Sequence, residues 1–257
     1  MNVQSPIVEF KSVTKSYGDS PLVLDGIDFT AEAGEFISLI GPSGCGKSTL
    51  LRLIADLSPV TSGSLNIAGR TAEAKASELA FVFQEPTLLP WQTVAHNVEL
   101  PQKLRDMPAK ERATSRDRAL QLVHLEDRGD AYPRQLSGGQ KMRVSIARAL
   151  TLDPKILLLD EPFGALDEMT RERLNEELLS IRHQQSWTAF FVTHSVAEAV
   201  FLSNRIFIMS ANPGKIAHEI KIDLPHPRTS DTRFSRPYQA LVAEVSKLLR
   251  SVEESRS

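Results

Sequence analysis

The chain has 257 residues, a net charge of −2, and apolar and charged shares of 41% and 24%, the make-up of an ordinary globular protein of one large domain or a domain with a subdomain. Its balanced charge argues against a nucleic-acid partner, which calls for clustered Lys and Arg. The single cysteine excludes an intramolecular disulfide and suits a reducing compartment.

Along the chain, Met1–Phe10 has no basic segment leading into an apolar core, so no signal peptide is expected. No apolar run approaches the length of a membrane span, and any membrane role must come through a partner. Val8–Tyr17, Phe29–Ala31 and Ser64–Ala68 are short β-like stretches punctuated by Gly18, Gly26, Gly34 and Gly63, and predict a small antiparallel sheet. Phe36–Ile40, Leu79–Phe83, Ile156–Asp160 and Ala189–Thr193 are mostly apolar without alternation, as parallel strands covered on both faces are. Helix-like runs, Leu50–Ala55 among them, fall between these strands, which argues α/β. From Gln84 to Asp153 the strand signal gives way to prolines and charges, predicting an inserted helical subdomain. Lys141–Leu150 and Glu168–Gln185 read as helices, and Arg205–Met209 and Ile216–Ile222 as late strands. Leu241, Val245, Leu248 and Val252 recur at helical spacing near the end.

Three stretches carry chemistry. "GPSGCGKST", residues 41–49, fits G-x-x-x-x-G-K-[ST] between a strand and a helix. Glycines let the backbone aim several N–H groups at one point, and the helix start adds its own free N–H groups and positive dipole end. Such a cradle suits a nucleoside triphosphate, with Lys47 on the terminal phosphates and Ser48 on magnesium. Cys45 reads as a small loop residue, or as a thiol activated by the helix start. "KILLLDEP", residues 155–162, ends a strand in two carboxylates. Asp160 can hold magnesium through water, and Glu161 can polarise an attacking water. "LSGGQ", residues 136–140, offers a second anion-binding helix start behind the N-cap Ser137. One chain has little use for two phosphate cradles, but a head-to-tail pair does: the second cradle of one copy closes on the γ-phosphate held by the other.

These motifs, in this order, resemble those of the ATP-binding subunits of ABC transporters. Walker A matches Gly41, Pro42, Ser43, Gly44, Cys45, Gly46, Lys47, Ser48 and Thr49; Walker B matches Ile156–Asp160 followed by Glu161; the signature matches Leu136, Ser137, Gly138, Gly139 and Gln140. The resemblance runs from about Val8 to Ile222 and implies further roles. Tyr17 would stack on adenine, Gln84 would sense magnesium and the catalytic water, Asp167 would reach across the dimer, and His194 would contact the γ-phosphate. Each also has a plainer reading: packing for Tyr17, a solvated turn for Gln84, a helix start for Asp167, a strand cap for His194.

The fold implied is an α/β P-loop NTPase (RecA-like) core with an antiparallel β subdomain and an inserted α-helical subdomain. The nucleotide-binding domain would span residues 1–230, with the helical subdomain at about 86–153 and an amphipathic helix and tail at 231–257. "EPTLLPWQTVAHNVELP", "EPFGALD" and "MSANPGKI" look like the nitrate, sulfonate and taurine importer branch. The activity implied is ATP hydrolysis with Mg2+ in a homodimer on the cytoplasmic face of the cell membrane. Its partners would be two transmembrane permease subunits and a periplasmic or lipoprotein solute-binding protein. Trp91 would either pack within the helical subdomain or line the groove that receives a permease helix. Gly164 and Asp56 depart from common family residues, serine and glycine, and the first would loosen its loop. A second reading, a soluble ABC-type ATPase acting on nucleic acid or ribosomes, lacks the heptads or the doubled cassette of such proteins.

Overall fold

The computed structural model describes residues 6–67 and 78–254. They fall into two compact units, one within Met1–Lys75 and Ser186–Ser257, the other within Ala76–Gln185. Elements are numbered along the chain.

The first unit carries two kinds of sheet. β1 (Val8–Lys15) lies between β2 (Leu24–Ala31) and β4 (Ser62–Ile67), antiparallel to both. β3 (Phe36–Ile40) lies between β7 (Thr188–Val192) and β8 (Arg205–Ser210), parallel to both, and β9 (Lys215–Lys221) closes on β8 antiparallel. Every residue of β3 and β7 is buried, which is why neither alternates in sequence. Phe29 joins the two sheets, stacked on Phe10 at 4.6 Å between centroids and tilted against Phe207 at 5.0 Å. Phe36 packs between Trp187 and Phe191. Burial of each such ring contributes about 1.5–3 kcal/mol. Helices α1 (Lys47–Ile54), α6 (Val196–Leu202) and α7 (Arg236–Glu254) complete the unit. α7 packs on α6 and β8, through buried residues Tyr238, Val245 and Val252 of its apolar stripe.

In the second unit, β5 (Leu79–Val82) and β6 (Ile156–Asp160) pair in parallel. The helices are α2 (Val94–Lys103), α3 (Ala109–Leu122), α4 (Gly138–Leu150) and α5 (Glu168–Gln184). α4 is the central one, packing on α2, α3 and α5 with Met142, Val144, Ile146 and Leu150 buried. The helical insert expected from about 86 to 153 lies inside this unit, which runs on through β6 and α5.

The sheets and helices expected from sequence are present, with differences at several of their ends. β2 begins at Leu24 rather than Phe29, because Gly26 is not a terminator: it sits at φ +59° where the register with β1 slips, a bulge inside a continuing strand. α4 begins at Gly138 rather than Lys141, its two glycines forming the first turn. β5 ends at Val82, and the Phe83 ring stacks on Phe81 at 4.4 Å. The expected end of the third antiparallel strand, Ala68, lies outside the described residues.

Candidate functional site

The glycine loop occupies residues 41–46, between the last residue of β3 and the first of α1. Gly41, Gly44 and Gly46 have φ of +152°, +77° and +95°, the region that L side chains avoid, so the loop needs glycine at these places. The loop is also pressed from outside. A Cβ at Gly41 would lie 2.5 Å from the Met209 carbonyl oxygen of β8, and one at Gly46 would lie 2.5 Å from Leu24 Cδ2 of β2. A Cβ at Gly44 would meet nothing within 4 Å, so that corner is open.

No side chain caps α1, whose N-cap is Gly46 and whose first turn holds no acid. α4, α5 and α6, by contrast, are capped by Ser137, Asp167 and Ser195. Helix starts need partners for their free N–H groups, and an uncapped start behind a glycine loop fits a phosphate chain. Lys47 is buried, and its Nζ donates to the carbonyls of Gly41 at 2.8 Å and Pro42 at 3.0 Å. The ammonium is thereby held inside the loop rather than at its rim. Cys45 is fully buried, and burial pushes its thiol up despite the Lys47 charge, which favours a small loop residue over an activated thiol.

The turn between β8 and β9 supports the same loop. Gly214 N donates to the Val23 carbonyl at 2.9 Å, and Asp25 N donates to the Gly214 carbonyl at 3.0 Å. A Cβ at Gly214 would overlap the carbonyl oxygen of Cys45. Gly214 lies in "MSANPGKI", a stretch whose sequence signal, a Pro-Gly turn, pointed to no site. Gly214→Ala should push the loop away from its turn at a cost of about 1–3 kcal/mol. The expected result is ATP affinity lower by about tenfold, 1.4 kcal/mol, in a fluorescent-nucleotide titration. Unchanged affinity would show that the turn does not set the loop.

His194 reaches the same sheet edge as the loop. Leu39 of β3 pairs with Val192 of β7 in parallel, and Thr193 N donates to the Leu39 carbonyl, so both strands end together. Ligands of open α/β sheets lie at such carboxyl ends. His194 is exposed between buried Thr193 and the N-cap Ser195. Tyr17, two residues beyond β1, is 44% exposed, with Lys15 Nζ over its ring at 4.6 Å from the centroid. A half-exposed ring suits stacking better than core packing.

In the second unit β5 and β6 likewise end together, with Val82 opposite Leu159. This puts Gln84 and the pair Asp160–Glu161 at one edge. Gly164 lies between two of their side chains: its Cβ would be 3.6 Å from Gln84 Nε2 and 3.7 Å from Glu161 Oε2. Glu161 has φ +49°, uncommon for a residue with a side chain. Gly164 N donates to the Glu161 carbonyl and Leu166 N to Phe163, so the loop after Glu161 is bonded. At Gly164 a serine Cβ would also fit at ordinary contact distances.

The signature residues form the start of α4. Ser137 Oγ accepts from Gln140 N at 3.3 Å, and Gln140 Oε1 accepts from Ser137 N at 2.9 Å, a reciprocal capping box. Ser137 and Gly138 face solvent. Gly139 is buried, and a Cβ there would crowd Thr170 Cγ2 at 2.9 Å. Gly139 is therefore small because the start of α5 packs against it, while a Cβ at Gly138 would lie 3.3 Å from Leu166 Cδ2 of the loop before α5. Asp167 is the N-cap of α5, accepting from Thr170 N at 3.0 Å, and that bond holds its carboxyl below the usual range.

Two residues that sequence reasoning passed over shape the loop after Gln84. Asn97, fully buried, accepts from Leu89 N at 2.7 Å and donates to the carbonyls of Leu89, Gln92 and Thr93. Arg148, near the end of α4, donates to the carbonyls of Pro86 at 2.8 Å and Thr87 at 3.0 Å. The only sequence signals were an Asn and an Arg in helical stretches, where both usually face water. Trp91 stands on this tethered loop and is 68% exposed, so it does not pack within the helical subdomain.

Among the described residues no group of three or more His, Cys, Asp or Glu side chains could hold a metal alone. The hydroxyl of Ser48 and, separately, the carboxylate of Asp160 are hard oxygen donors of the kind magnesium takes beside waters and phosphate oxygens. Among them, too, no helix is long and apolar enough to cross a membrane.

Known proteins resemble the chain over most of its length. The chain is 44% identical over 247 residues to an ABC transporter ATP-binding protein of Methanocaldococcus jannaschii, covering 96% of this chain and 92% of that one. It is 47% identical over 207 residues to the aliphatic sulfonates import ATP-binding protein SsuB of Bacillus cereus, covering 80% and 81%. It is also 47% identical to the bicarbonate transport ATP-binding protein CmpC of Synechococcus elongatus, covering 91% of this chain but 36% of that longer one. A solved dimeric ATP-binding cassette in a post-hydrolysis state with ADP and Pi superposes at a TM-score of 0.74 with 34% identity, over 85% of this chain and all of that one. The fold alone is shared with cbiO1 of Clostridium perfringens, at a TM-score of 0.80, 24% identity, and coverage of 94% and 100%. The profile of the ABC transporter family matches residues 24–164, and the chain belongs to that family, as an ATP-binding, ATP-hydrolysing subunit.

Proposed function

We propose that this chain powers an ABC importer for a small oxyanion, such as a sulfonate, bicarbonate, nitrate or taurine, from the cytoplasmic face of the membrane. The import half of this reading is supported by the names of the SsuB and CmpC relatives. Two copies, two permease subunits and a solute-binding protein make up the whole. ATP lies with its phosphates on the loop of residues 41–49 and its adenine on Tyr17, and Mg2+, when bound, would supply neutralisation of the phosphate charge. Lys47 holds the terminal phosphates, Ser48 a magnesium site, and Asp160 a water-mediated one. Glu161 polarises the attacking water, Gln84 orients it, and His194 holds the γ-phosphate.

The observation that carries the paired arrangement is the exposed start of α4, where Ser137 and Gly138 face solvent. Pairing places Ser137, Gly138, Gly139 and Gln140 of one copy on the γ-phosphate bound by the other, with Asp167 bridging the pair. Closing that site excludes water from around the phosphates, where fixed donors stabilise the transferring group. Hydrolysis reopens it, and the permeases read the change.

Purification of the tagged chain from its native membrane tests the transporter reading. A polytopic membrane protein should come with it, and ATPase activity in vesicles should rise when the oxyanion-loaded binding protein is added. Recovery with ribosomes or nucleic acid instead would favour a soluble ATPase.

Trp91 is the expected anchor for the permease. Exposed tryptophans on rigid supports are frequent interface hot spots, worth about 2 kcal/mol or more, roughly thirtyfold in affinity. Trp91→Ala should leave the isolated ATPase within about twofold of the parent but weaken permease binding by that factor. Normal assembly and normal coupled uptake would remove Trp91 from the docking surface.

A further inference from the structure

The segment after β9 grips the helix that follows His194. α6 has seven residues, too few to be stable by itself, so its ends must be held by their surroundings. At its start, Ser195 Oγ accepts from Glu198 N at 3.3 Å. Thr193 Oγ1 accepts from Ser195 N at 3.0 Å and donates to the buried Glu198 carboxylate. These bonds fix the backbone on both sides of His194. At its end, free helix carbonyls carry partial negative charge and need donors.

Arg228 supplies them. Its Nη1 donates to the carbonyls of Val200 at 3.2 Å, Phe201 at 2.9 Å and Ser203 at 2.9 Å, and Nη2 donates to Leu224 at 3.4 Å. Arg228 is only 4% exposed, and burying a guanidinium is costly unless its donors are used. Two more residues of the same segment hold α6. The Arg233 guanidinium lies 3.9 Å from the Phe201 ring centroid, and Tyr238 Oη donates to the Ala197 carbonyl at 3.0 Å. A helix of seven residues is thus held at Ala197, at Phe201 and at its last carbonyls, all from beyond the last strand.

We propose that Arg228 is a positioning residue for His194: the segment from Leu224 to Tyr238 fixes α6, and so the backbone that presents the imidazole to the γ-phosphate. This rests on His194 as the γ-phosphate contact. An arginine fork suits the place, since one planar group meets several carbonyls, which a lysine point charge cannot.

The test compares Arg228→Met, Arg228→Lys, His194→Ala and the double variant Arg228→Met/His194→Ala. Turnover is measured, together with affinity for a non-hydrolysable ATP analogue and for ADP. A misplacement of 1 Å can cost a hundredfold in rate, and Arg228→Met should cost about tenfold in kcat, with Arg228→Lys between it and the parent. Analogue affinity should fall about threefold while ADP affinity stays, because only the γ-phosphate loses a contact, and the loss should add nothing to that of His194→Ala. A parallel fall for ADP, additive losses in the double variant, or unchanged kcat would each overturn the proposal. If His194→Ala keeps both turnover and analogue affinity, the reading of His194 fails instead. Should Arg228→Met not fold, Tyr238→Phe, which removes one hydrogen bond at nearly constant volume, carries the same cycle with about a twofold effect expected.

Discussion

Glu161→Gln is expected to bind ATP, pair with its partner copy and hydrolyse at least about a hundredfold more slowly, the lower range of what a positioned base contributes. The change swaps one carboxylate oxygen for an amide nitrogen and keeps the shape. Backbone strain is unaltered, since φ +49° suits glutamine no worse than glutamate. The bond from Gly164 N to the residue 161 carbonyl does not involve the side chain. The glycine loop, Lys47 and Tyr17 are untouched, so the loss falls on the chemical step rather than on binding. Gel filtration with ATP and magnesium should show a lasting dimer, and phosphate release should be near background. Near-normal turnover would mean that another group polarises the water.

How far the sequence led depends on what each residue answers to. The glycine loop was legible because its chemistry is local: φ values of +77° at Gly44 and +95° at Gly46 can be met by glycine with little strain, and the spacing to Lys47 follows from the loop itself. The buried strands were legible because a strand covered on both faces has no polar positions to spare. β2 was cut short because a glycine at a bulge and a glycine at a turn look the same in sequence; only the slipped register with β1 separates them. The signature start was legible as a cap, yet its two glycines answer to Leu166 and Thr170, on a different helix and the loop before it.

Residues that act at a distance in sequence left no local mark. Gly214 is glycine because of the Cys45 carbonyl, and Arg228 is buried because α6 ends beside it. Asn97 and Arg148 hold a loop that precedes them by up to 62 positions. The sequence shows an asparagine and an arginine in helices, and the partners appear only when the chain is folded. Arg148 is the more informative case. It stands on α4, whose first turn is the signature, and its fork ends on the loop that displays Trp91. One rigid helix therefore joins the proposed γ-phosphate contact to the proposed permease contact, which is the physical link a coupled transporter requires.

The paired arrangement itself gives the most demanding expectation. In the proposed two-fold pair each site would use Lys47 of one copy and Ser137 of the other, so the two functions can be damaged in different chains. Ser137→Arg puts a bulky charge at the exposed start of α4. It also removes a cap worth about 1 kcal/mol, which α4 should survive given the buried face from Met142 to Leu150. Lys47→Ala removes the ammonium held on the Gly41 and Pro42 carbonyls. Each variant alone should hydrolyse at background, because every site in its homodimer is broken. Mixed in equal amounts, half of the dimers are heterodimers, and each of these carries one site with Lys47 and Ser137 both intact. About a quarter of the parent activity should return, if the two sites fire independently and exchange is complete. Differently tagged chains and a pull-down establish that heterodimers form. Activity that stays at background in proven heterodimers would sink the shared site, whereas strong activity of Ser137→Arg alone would show that α4 of the partner takes no part in the chemistry.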